Sequence, residues 1–500
     1  MKPLSLAWIA NVVDGRLIGD DIAVDAVMTD TRKLADTASG MATSVAPLFV
    51  APLFVALKGE NFDGNDYVAR AAALGARAAL VSRFVDDAAG PTHAGLNSTI
   101  PQILVPNTEI ALARLASAMQ RTRATKVIAV TGSNGKTSVK TLTLAILEAA
   151  VAAHGTRAYA TPGNRNNEIG LPLAVIDAPG DAEYAIYEMG TGKPGDIAYL
   201  TAIAPPDVAL VNNVASAHLE RMGSLLEIAN TKSAVYDDLR SGGAAAINAD
   251  DAFASYFEQR VAALSGRRVL RFALDANAEI SARDIVLDAD SSRFVLITPE
   301  GEAAIALAMP GRHNVLNALA ATALAMGASI PLALIAQGLN AAHPVAGRLN
   351  VHRLPNGATL IDDSYNANPG SLNAAIDTMA AAGGERWLVL GDMRELGDDA
   401  AALHAEVGRR AKASGIARLY ALGVLSASAA NAFGEGARMF DNHAALADAL
   451  RADFAASSAP QRVRALIKGS RGSAMDSIVK SILADGALAE GTGGGDTHAA

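Results

Sequence analysis

The chain has 500 residues, which at about 150 residues per domain favours about three domains. Its formal net charge is −9, and this acidic balance disfavours a general nucleic-acid binder, because such a protein needs a basic face to displace phosphate counterions. The sequence contains no cysteine, so disulfides, thiolate metal sites and cysteine nucleophiles are excluded.

Two segments could suggest a membrane or an exported protein. The stretch from His313 to Gly347 lacks charged side chains, but polar residues and Pro331 interrupt it before 18 consecutive apolar residues accumulate. We predict two short buried helices that separate near Gly327 to Pro331, and no membrane span. Near the N-terminus, the spacing of Leu4, Trp8 and Val12 predicts an amphipathic helix rather than a signal peptide, so we expect a cytoplasmic protein.

The first 120 residues mix short strands with Ala-rich helices, and they contain a tandem copy. Residues 46–50 read Ala-Pro-Leu-Phe-Val, and residues 51–55 repeat them. Either copy could pair as a strand. We expect the second to do so, because it runs directly into Ala56-Leu-Lys-Gly-Glu60.

The strongest chemical signal follows the apolar strand 127–130, where a glycine-rich turn leads into a helical pattern. Glycines let the backbone wrap an anion with its amide hydrogens, a lysine then reaches the outer phosphates, and a threonine hydroxyl ligates Mg²⁺. The full Walker pattern has a further glycine where this chain has Val130. The predicted phosphate-binding residues are Gly132, Ser133, Asn134, Gly135, Lys136, Thr137 and Ser138.

Two further strands of the predicted parallel sheet end in polar residues. The strand 184–187 ends at Glu188, and a carboxylate at the carboxyl end of a parallel strand faces the phosphate crevice, where it could bind Mg²⁺. The strand 208–211 precedes His218, which could bind a metal through one ring nitrogen. Alternatively, Glu188 is a solvated acid at a strand end.

The remaining chain alternates strands with helices, which predicts a second parallel sheet built from βαβ units. The last dozen residues are rich in glycine and cannot bury apolar area, so we predict a disordered tail over 489–500. The candidate strands of the second sheet are Thr359 to Ile361, Trp387 to Leu390, Arg418 to Leu422 and Val463 to Ile467.

In combination these segments resemble the Mur ligases, ATP-dependent enzymes that form amide bonds in peptidoglycan assembly. The resemblance covers nearly the whole chain and is strongest in motifs of the member that adds D-alanyl-D-alanine. The motifs that carry it are Thr131 to Ser138, Thr161 to Pro172, Gly311 to Asn317, Asp362 to Pro369, Leu390 to Gly397, Asp30 to Arg32 and Leu57 to Gly64.

The resemblance implies an α/β protein of three domains. A smaller N-terminal α/β domain that binds the UDP-linked substrate is expected over 1–122. A central P-loop ATPase domain with a parallel sheet is expected over 123–344, and a C-terminal Rossmann-like domain over 345–488.

The resemblance also implies roles for individual residues. Thr137 and Glu188 would ligate one Mg²⁺, and His218 would lie near a second. Lys232 would be carbamylated, which turns its ammonium into a metal-binding anion; the alternative is a lysine on a helix surface. From later in the chain, Asn317 would contact adenine, Asp363 the ribose and Arg348 the γ-phosphate.

The implied reaction joins D-alanyl-D-alanine to a UDP-N-acetylmuramoyl-tripeptide through an acyl phosphate, with ATP consumed and the protein acting as a monomer. The segment Lys468 to Arg471 could hold a substrate carboxylate or could be plain surface charge. The implied substrate-binding residues are Asp30, Thr31, Arg32, Lys58, Gly59, Asn164, Asn166, Asn167, Asn366, Asn368, Lys468 and Arg471.

Three alternatives stay open from the sequence. The nearest is a sister ligase that adds the third amino acid, or a folylpolyglutamate synthetase. A nucleotide switch that moves domains without forming a bond is a second. A nucleic-acid motor is the weakest, because the chain is acidic and lacks clusters of aromatic residues that could stack on bases.

Overall fold

The fold is described here from a computed structural model, which covers residues 1–38, 51–86, 100–152, 154–215, 222–381 and 383–491. Its centre is a six-stranded sheet in which all strands run parallel. Most of these strands are continuous runs of small or branched apolar residues, as expected for strands covered on both faces. In sheet order they are Arg268–Phe272, Ala244–Asn248, Val208–Val211, Lys126–Thr131, Ala182–Glu188 and Arg157–Ala160.

One face of the central sheet is covered by three helices and a small antiparallel sheet, which share one apolar core. Two of these helices come from the charge-free stretch and separate between Gly327 and Leu332, so the prediction of two buried helices is confirmed. The helices are Lys136–Ala152, Arg312–Gly327 and Leu332–Ala341, and the strands are Ser281–Leu287, Ser292–Thr298 and Gly301–Leu307.

The opposite face of the central sheet packs against the N-terminal part of the chain in a second continuous core. The helix Thr108–Arg121 lies at this junction, against helices Gly170–Asp177 and Asp196–Ile203. The predicted boundary at residue 122 falls between this helix and the strand Lys126–Thr131. The remaining helices of the central part are Leu225–Ser233 and Ala254–Ala262.

The N-terminal part forms a five-stranded sheet with one antiparallel edge strand. The second copy of the tandem repeat supplies the strand Pro52–Val55, which confirms the expected register, and the first copy lies outside the described residues. In sheet order the strands are Arg16–Ile18, Gln102–Leu104, Ala78–Val81, Pro52–Val55 and Ala26–Met28. Two short strands, Leu4–Ser5 and Ala23–Val24, pair with each other separately. The helices of this part are Leu6–Val13, Thr31–Ala38 and Val68–Ala73.

The first helix is amphipathic, as expected. The helix begins at Leu6, because Leu4 pairs with Val24 in a strand and Ser5 caps the helix by accepting a hydrogen bond from the backbone N–H of Trp8. Trp8 and Val12, four residues apart, are partly buried and pack against the same core as Leu4. The residues of this helix that are buried are Leu6, Ile9, Ala10 and Val13.

The C-terminal part forms a second six-stranded sheet, parallel except for one edge strand, and all four candidate strands are confirmed. The last helix extends to Gly491, into the segment predicted as a tail, and later residues lie outside the described part. In sheet order the strands are Asn350–Arg353, Thr359–Asp363, Val463–Lys468, Glu385–Gly391, Arg418–Leu422 and Ala437–Phe440. In chain order the helices are Pro369–Ala381, Ala400–Ala413, Ser426–Phe433, His443–Ala456 and Asp476–Gly491.

The two large sheets have separate cores, and the link between them is short. The predicted boundary at residue 344 falls between the helix Leu332–Ala341 and the edge strand Asn350–Arg353. The C-terminal sheet carries its own apolar clusters on its two faces. In the part of the chain that the structure describes, no helix is both long enough and apolar enough to cross a bilayer.

Candidate active site

The main cavity of the protein lies where the central sheet meets the C-terminal sheet, and its volume is about 710 Å³. The glycine-rich turn and Glu188, both at the carboxyl ends of central strands, line one side. Arg348, Asp363 and Lys468 line the other side. Ligands of parallel α/β sheets bind beyond the carboxyl ends of the strands, so the cavity is in the expected position.

The glycine-rich turn connects the strand Lys126–Thr131 to the helix Lys136–Ala152. Gly135 has φ = 79°, and a Cβ atom there would lie 2.5 Å from Asn212 Nδ2, so only glycine fits without strain. The turn is anchored by Asn213, which accepts hydrogen bonds from the backbone N–H groups of Ser133 (2.9 Å) and Asn134 (2.8 Å). The loop is therefore fixed from the end of the neighbouring strand.

The first turn of the helix Lys136–Ala152 offers an anion-binding surface. The backbone N–H groups from Gly135 to Ser138 have no acceptor among the described residues, whereas the next one, on Val139, donates to Gly135. Unpaired amides at the start of a 17-residue helix lie at the positive end of its dipole. This arrangement binds phosphate groups in many proteins.

Lys136 lies folded over the loop that precedes it. Its Nζ donates to the carbonyl oxygen of Gly132 at 2.6 Å. Burial lowers the pKa of Lys136 below its ordinary value, Arg348 acts in the same direction, and Glu188 opposes both. No carboxylate among the described residues forms an ion pair with Lys136, so a bound anion would supply the missing countercharge.

Glu188 is the acidic centre of the site. Its Oε2 accepts a hydrogen bond from Thr137 Oγ1 at 3.0 Å, and its Oε1 accepts one from Asn166 Nδ2 at 2.9 Å. Burial opposes its ionisation, but Lys140, Lys136 and Asn166 together hold the pKa of Glu188 below the usual range. The group is therefore a carboxylate, and with the Thr137 hydroxyl it offers the oxygen ligands that Mg²⁺ prefers.

Lys140 contacts Glu188 in the site but was not among the residues predicted from the sequence. Its Nζ lies 3.2 Å from Glu188 Oε2 and donates to the carbonyl oxygens of Thr161 and Gly163 at 2.9 and 3.0 Å. It stands one helical turn after Lys136, which is the one signal that could have identified it. Lys140 thus connects the Glu188 carboxylate to the segment that carries Asn166.

Lys232 is buried in the structure, being only 2% exposed, so its interpretation as a surface lysine is wrong. It lies in the last turn of the helix Leu225–Ser233, and no hydrogen bond or ion pair joins its Nζ to another described residue. Burial, reinforced by Lys136, lowers its pKa well below the ordinary value. The predicted metal ligand His218 lies outside the described residues.

The described residues do not bring together three or more His, Cys, Asp or Glu groups that could hold a metal ion by themselves. Within that part of the chain, the Glu188 carboxylate and the Thr137 hydroxyl are the candidate metal-binding oxygens. Their charge and spacing fit a divalent cation that also takes ligands from a bound phosphate.

Asn317 lies against the phosphate loop. Its Oδ1 accepts from Asn212 Nδ2 at 3.2 Å, and its Nδ2 donates to Asn314 Oδ1 at 3.2 Å. Asn212 also donates to the carbonyl oxygen of Asn134, and its own buried Oδ1 has no partner. Whether Asn317 contacts adenine stays a prediction, since both ends of its amide already have partners within the protein.

Two side chains from the C-terminal part reach the phosphate loop. Arg348 Nη2 lies 3.4 Å from Thr137 Oγ1, and Asn368 Nδ2 donates to Asn134 Oδ1 at 2.7 Å. Arg348 is 211 residues from Thr137 in the sequence, and Asn368 is 234 residues from Asn134. The contacts show that both parts of the chain meet at the position where the end of a bound polyphosphate would lie.

Asp363 and Lys468 form a buried ion pair, with Nζ and Oδ2 2.5 Å apart. Lys468 also donates to the carbonyl oxygen of Asn366 at 3.0 Å, so its interpretation as plain surface charge is wrong. Burial lowers its pKa, although Asp363 opposes that effect. Arg471 is mostly exposed, and its guanidinium lies 5.8 Å from the centre of the Tyr365 ring.

The remaining substrate candidates divide between the cavity and the N-terminal sheet. Asn164 and Asn167 line the cavity, and Asn167 also caps a helix by accepting from the N–H of Gly170 at 2.8 Å. The N-terminal candidates do not line it. Within that group, the Arg32 guanidinium donates hydrogen bonds to both carboxylate oxygens of Asp30, and these bonds lower the pKa of Asp30. The candidates that lie apart from the cavity are Asp30, Thr31, Arg32, Lys58 and Gly59.

A buried histidine, which the sequence did not single out, supports the loop at Gly391 to Gly397. His404 Nε2 accepts from the backbone N–H of Met393 at 2.9 Å, and Nδ1 lies 2.6 Å from the carbonyl oxygen of Ala400. Burial lowers the pKa of His404, in agreement with a neutral ring that accepts through one nitrogen and donates through the other. The hydroxyl of Ser470 also supports the loop by accepting a hydrogen bond from the backbone N–H of Arg394 at 2.9 Å.

Two family models match the chain. Residues 130–325 match the Mur ligase middle domain, and residues 347–471 match the domain described as "Mur ligase, glutamate ligase domain". The chain is 38% identical to the UDP-N-acetylmuramoyl-tripeptide–D-alanyl-D-alanine ligase of Escherichia coli (strain K12) over 97% of its own length and 100% of that protein.

Solved structures show the same fold. The crystal structure of MurF from Acinetobacter baumannii matches with a TM-score of 0.85 and 29% identity, over 97% of this chain and 99% of the other. MurF ligase from Thermotoga maritima, solved in complex with ADP, matches with a TM-score of 0.77 and 24% identity, over 93% and 99% of the two chains.

We expect Lys136→Ala to abolish ATP-dependent turnover, with a loss of about 100-fold or more, because the lysine serves a bound phosphate rather than the core. The midpoint of thermal unfolding should stay close to that of the unmodified protein. ATP turnover and unfolding are measured on the same preparation, with Lys480→Ala, an exposed lysine remote from the cavity, as the matched control. A near-normal rate for Lys136→Ala would refute its assignment.

Proposed function

The chain belongs to the Mur ligase family, and from that membership we propose that it joins D-alanyl-D-alanine to a UDP-N-acetylmuramoyl-tripeptide at the expense of ATP. This product is the UDP-linked pentapeptide precursor of peptidoglycan. The observation that carries the proposal is the cavity in which the phosphate loop of one domain meets Arg348 and Asn368 of another. The match to the Escherichia coli ligase over its entire length supports the choice of substrates.

ATP would bind with its phosphates on the free amides that follow Gly135. Lys136 would contact the outer phosphates, and Arg348 would approach the γ-phosphate from the C-terminal domain. The forked, permanently charged guanidinium suits a phosphate that gains charge as it is transferred. Asn317 and Asp363 are the proposed contacts of adenine and ribose, as implied by the family motifs.

Thr137 and Glu188 would hold one Mg²⁺. The positive charge of a bound Mg²⁺ would offset the negative charge of the phosphate oxygens. A second ion is proposed near His218 and Lys232. In the structure, Thr137 and Lys140 both contact Glu188 Oε2, and Asn166 donates to Oε1. The chain itself therefore fixes the direction of both proposed ligands.

Lys232 is proposed to carry a carbamate. A buried lysine with a strongly lowered pKa is a neutral amine, and a neutral amine reacts with CO₂ to give a carbamate. The negative group would then serve the second cation, which an ammonium would repel.

Incubation with ¹³C-labelled CO₂ should give a carbamate signal in the carbon NMR spectrum. The Lys232→Arg variant should lack this signal, and Lys480→Ala should retain it. A spectrum that is the same for Lys232→Arg and for the unmodified protein would contradict the modification.

The proposed reaction has two steps. A carboxylate oxygen of the tripeptide attacks the γ-phosphorus of ATP, the bond to the bridging oxygen breaks, and ADP leaves, while Lys136 and Arg348 stabilise the charge. The neutral amine of D-alanyl-D-alanine then attacks the acyl carbon, phosphate leaves, and the amine loses its proton. Water must be excluded because acyl phosphates hydrolyse, and a site built from two domains can close over its substrates.

The substrates would enter from different sides. The N-terminal sheet, with Asp30, Arg32 and Lys58, is proposed to hold the UDP group, while Asn164, Asn166 and Asn167 would receive the peptide. The dipeptide would meet Asn366, Asn368 and the loop at Gly391 to Gly397. We further propose that the protein acts as a monomer in the cytoplasm, where ATP and UDP-linked sugars are available.

The test is to offer candidate amines with ATP and the UDP-tripeptide, and to record which one triggers ADP release. D-alanyl-D-alanine should do so, and omission of either substrate should stop phosphate release. Further reactions supply a UDP-linked dipeptide with diaminopimelate or lysine, and a folate with glutamate, and release of ADP only in one of these would indicate a sister ligase. Turnover that is independent of every amine would favour a nucleotide switch.

A further inference from the structure

Arg348 crosses from the C-terminal domain to the phosphate loop, and the ring of Tyr365 lies directly under its guanidinium. We propose that Tyr365 is a positioning residue, which holds Arg348 over the phosphate loop through the face of its ring. This inference rests on the proposed function, in which Arg348 meets the γ-phosphate of ATP.

Arg348 has few other supports. Its guanidinium carbon lies 4.3 Å from the centre of the Tyr365 ring, within the range of a cation–π contact. Its hydrogen bond to Thr137 Oγ1 is long, at 3.4 Å, and its buried Nε has no partner. No carboxylate among the described residues forms an ion pair with it. The ring face is therefore one of the few features among the described residues that orient this cation.

The backbone around Arg348 is also fixed against Tyr365. The carbonyl oxygen of Gly347 accepts from the N–H of Tyr365 at 3.2 Å, and a Cβ atom at Gly347 would lie 3.2 Å from Tyr365 Cβ. Leu349 is buried with φ = 52°, a left-handed conformation that costs energy for a branched side chain. Such strain persists only where the surroundings determine the conformation, and it sets the direction in which Arg348 leaves the chain.

The ring rather than the hydroxyl of Tyr365 carries this role. Among the described residues no group forms a hydrogen bond with the hydroxyl, and the side chain lines the cavity instead of joining an apolar core. Arg471, at the substrate end of the cavity, lies 5.8 Å from the same ring. Phenylalanine can therefore replace tyrosine in this role, whereas an aliphatic side chain cannot.

The experiment measures, in the presence of Mg²⁺, the affinity of the full-length protein for ADP and for a non-hydrolysable ATP analogue. The analogue has a γ-phosphate and ADP does not, so the difference between the two affinities reports the contact with that group. The variants are Tyr365→Phe, Tyr365→Leu, Arg348→Ala and the double variant Arg348→Ala/Tyr365→Leu. Tyr365→Met is a second aliphatic replacement if the leucine variant unfolds. Thermal unfolding is measured for each protein.

We expect Tyr365→Leu to weaken binding of the analogue about tenfold and to change ADP binding less than twofold. Tyr365→Phe should match the unmodified protein, and Tyr365→Leu should have no further effect when Arg348 is already alanine. An unchanged analogue-to-ADP ratio in both aliphatic variants, or an additive loss in the double variant, would overturn the role of Tyr365. An unchanged ratio in Arg348→Ala would instead reject the proposed contact of Arg348 with the γ-phosphate, and the inference with it.

Discussion

The structure depends on one constraint, which is that four consecutive backbone amides at the start of the helix Lys136–Ala152 have no acceptor among the described residues. Glycine at 135 permits the turn that aims them, and the end of the neighbouring strand Val208–Val211 holds the turn in place through Asn212 and Asn213. The helix itself is buried between the central sheet and two further helices, so it cannot shift to satisfy its own amides. A phosphate group meets this need because it brings several acceptor oxygens and negative charge together.

The charges of the cavity are arranged around that anion. Two buried lysines are compensated within the protein, Lys140 by Glu188 and Lys468 by Asp363. Lys136 and Arg348 line the same cavity, and neither has an ion-pair partner among the described residues. Both side chains are partly exposed in the cavity, so a polyanionic substrate could supply the countercharge that the protein does not. A protein of net charge −9 can therefore bind nucleotides by concentrating a few cations in one cavity.

Most of the fold and part of the site could be predicted from the sequence, because the signals are local. The phosphate loop, the strand that ends at Glu188 and the break between the two charge-free helices all lie within short segments. The amphipathic first helix was predicted for the same reason, whereas the pairing of Leu4 with Val24 in a strand depends on a partner outside that helix.

The contacts between the site residues could not be predicted, because the partners are remote in sequence. Lys468 has its partner 105 residues away, and Asn368 meets Asn134 across 234 residues. In the sequence, Lys140 has the pattern of an ordinary helical lysine, because its partners Thr161 and Glu188 come from later segments.

The central claim is that a carboxylate oxygen of the peptide substrate attacks the γ-phosphate held between Lys136 and Arg348. It is tested most directly by labelling both oxygens of that carboxylate with ¹⁸O, running the complete reaction and analysing the released phosphate by mass spectrometry. Attack by the carboxylate transfers one labelled oxygen to each phosphate and leaves the other in the new amide. Phosphate without label, formed while the amide is made, would contradict the acyl-phosphate route.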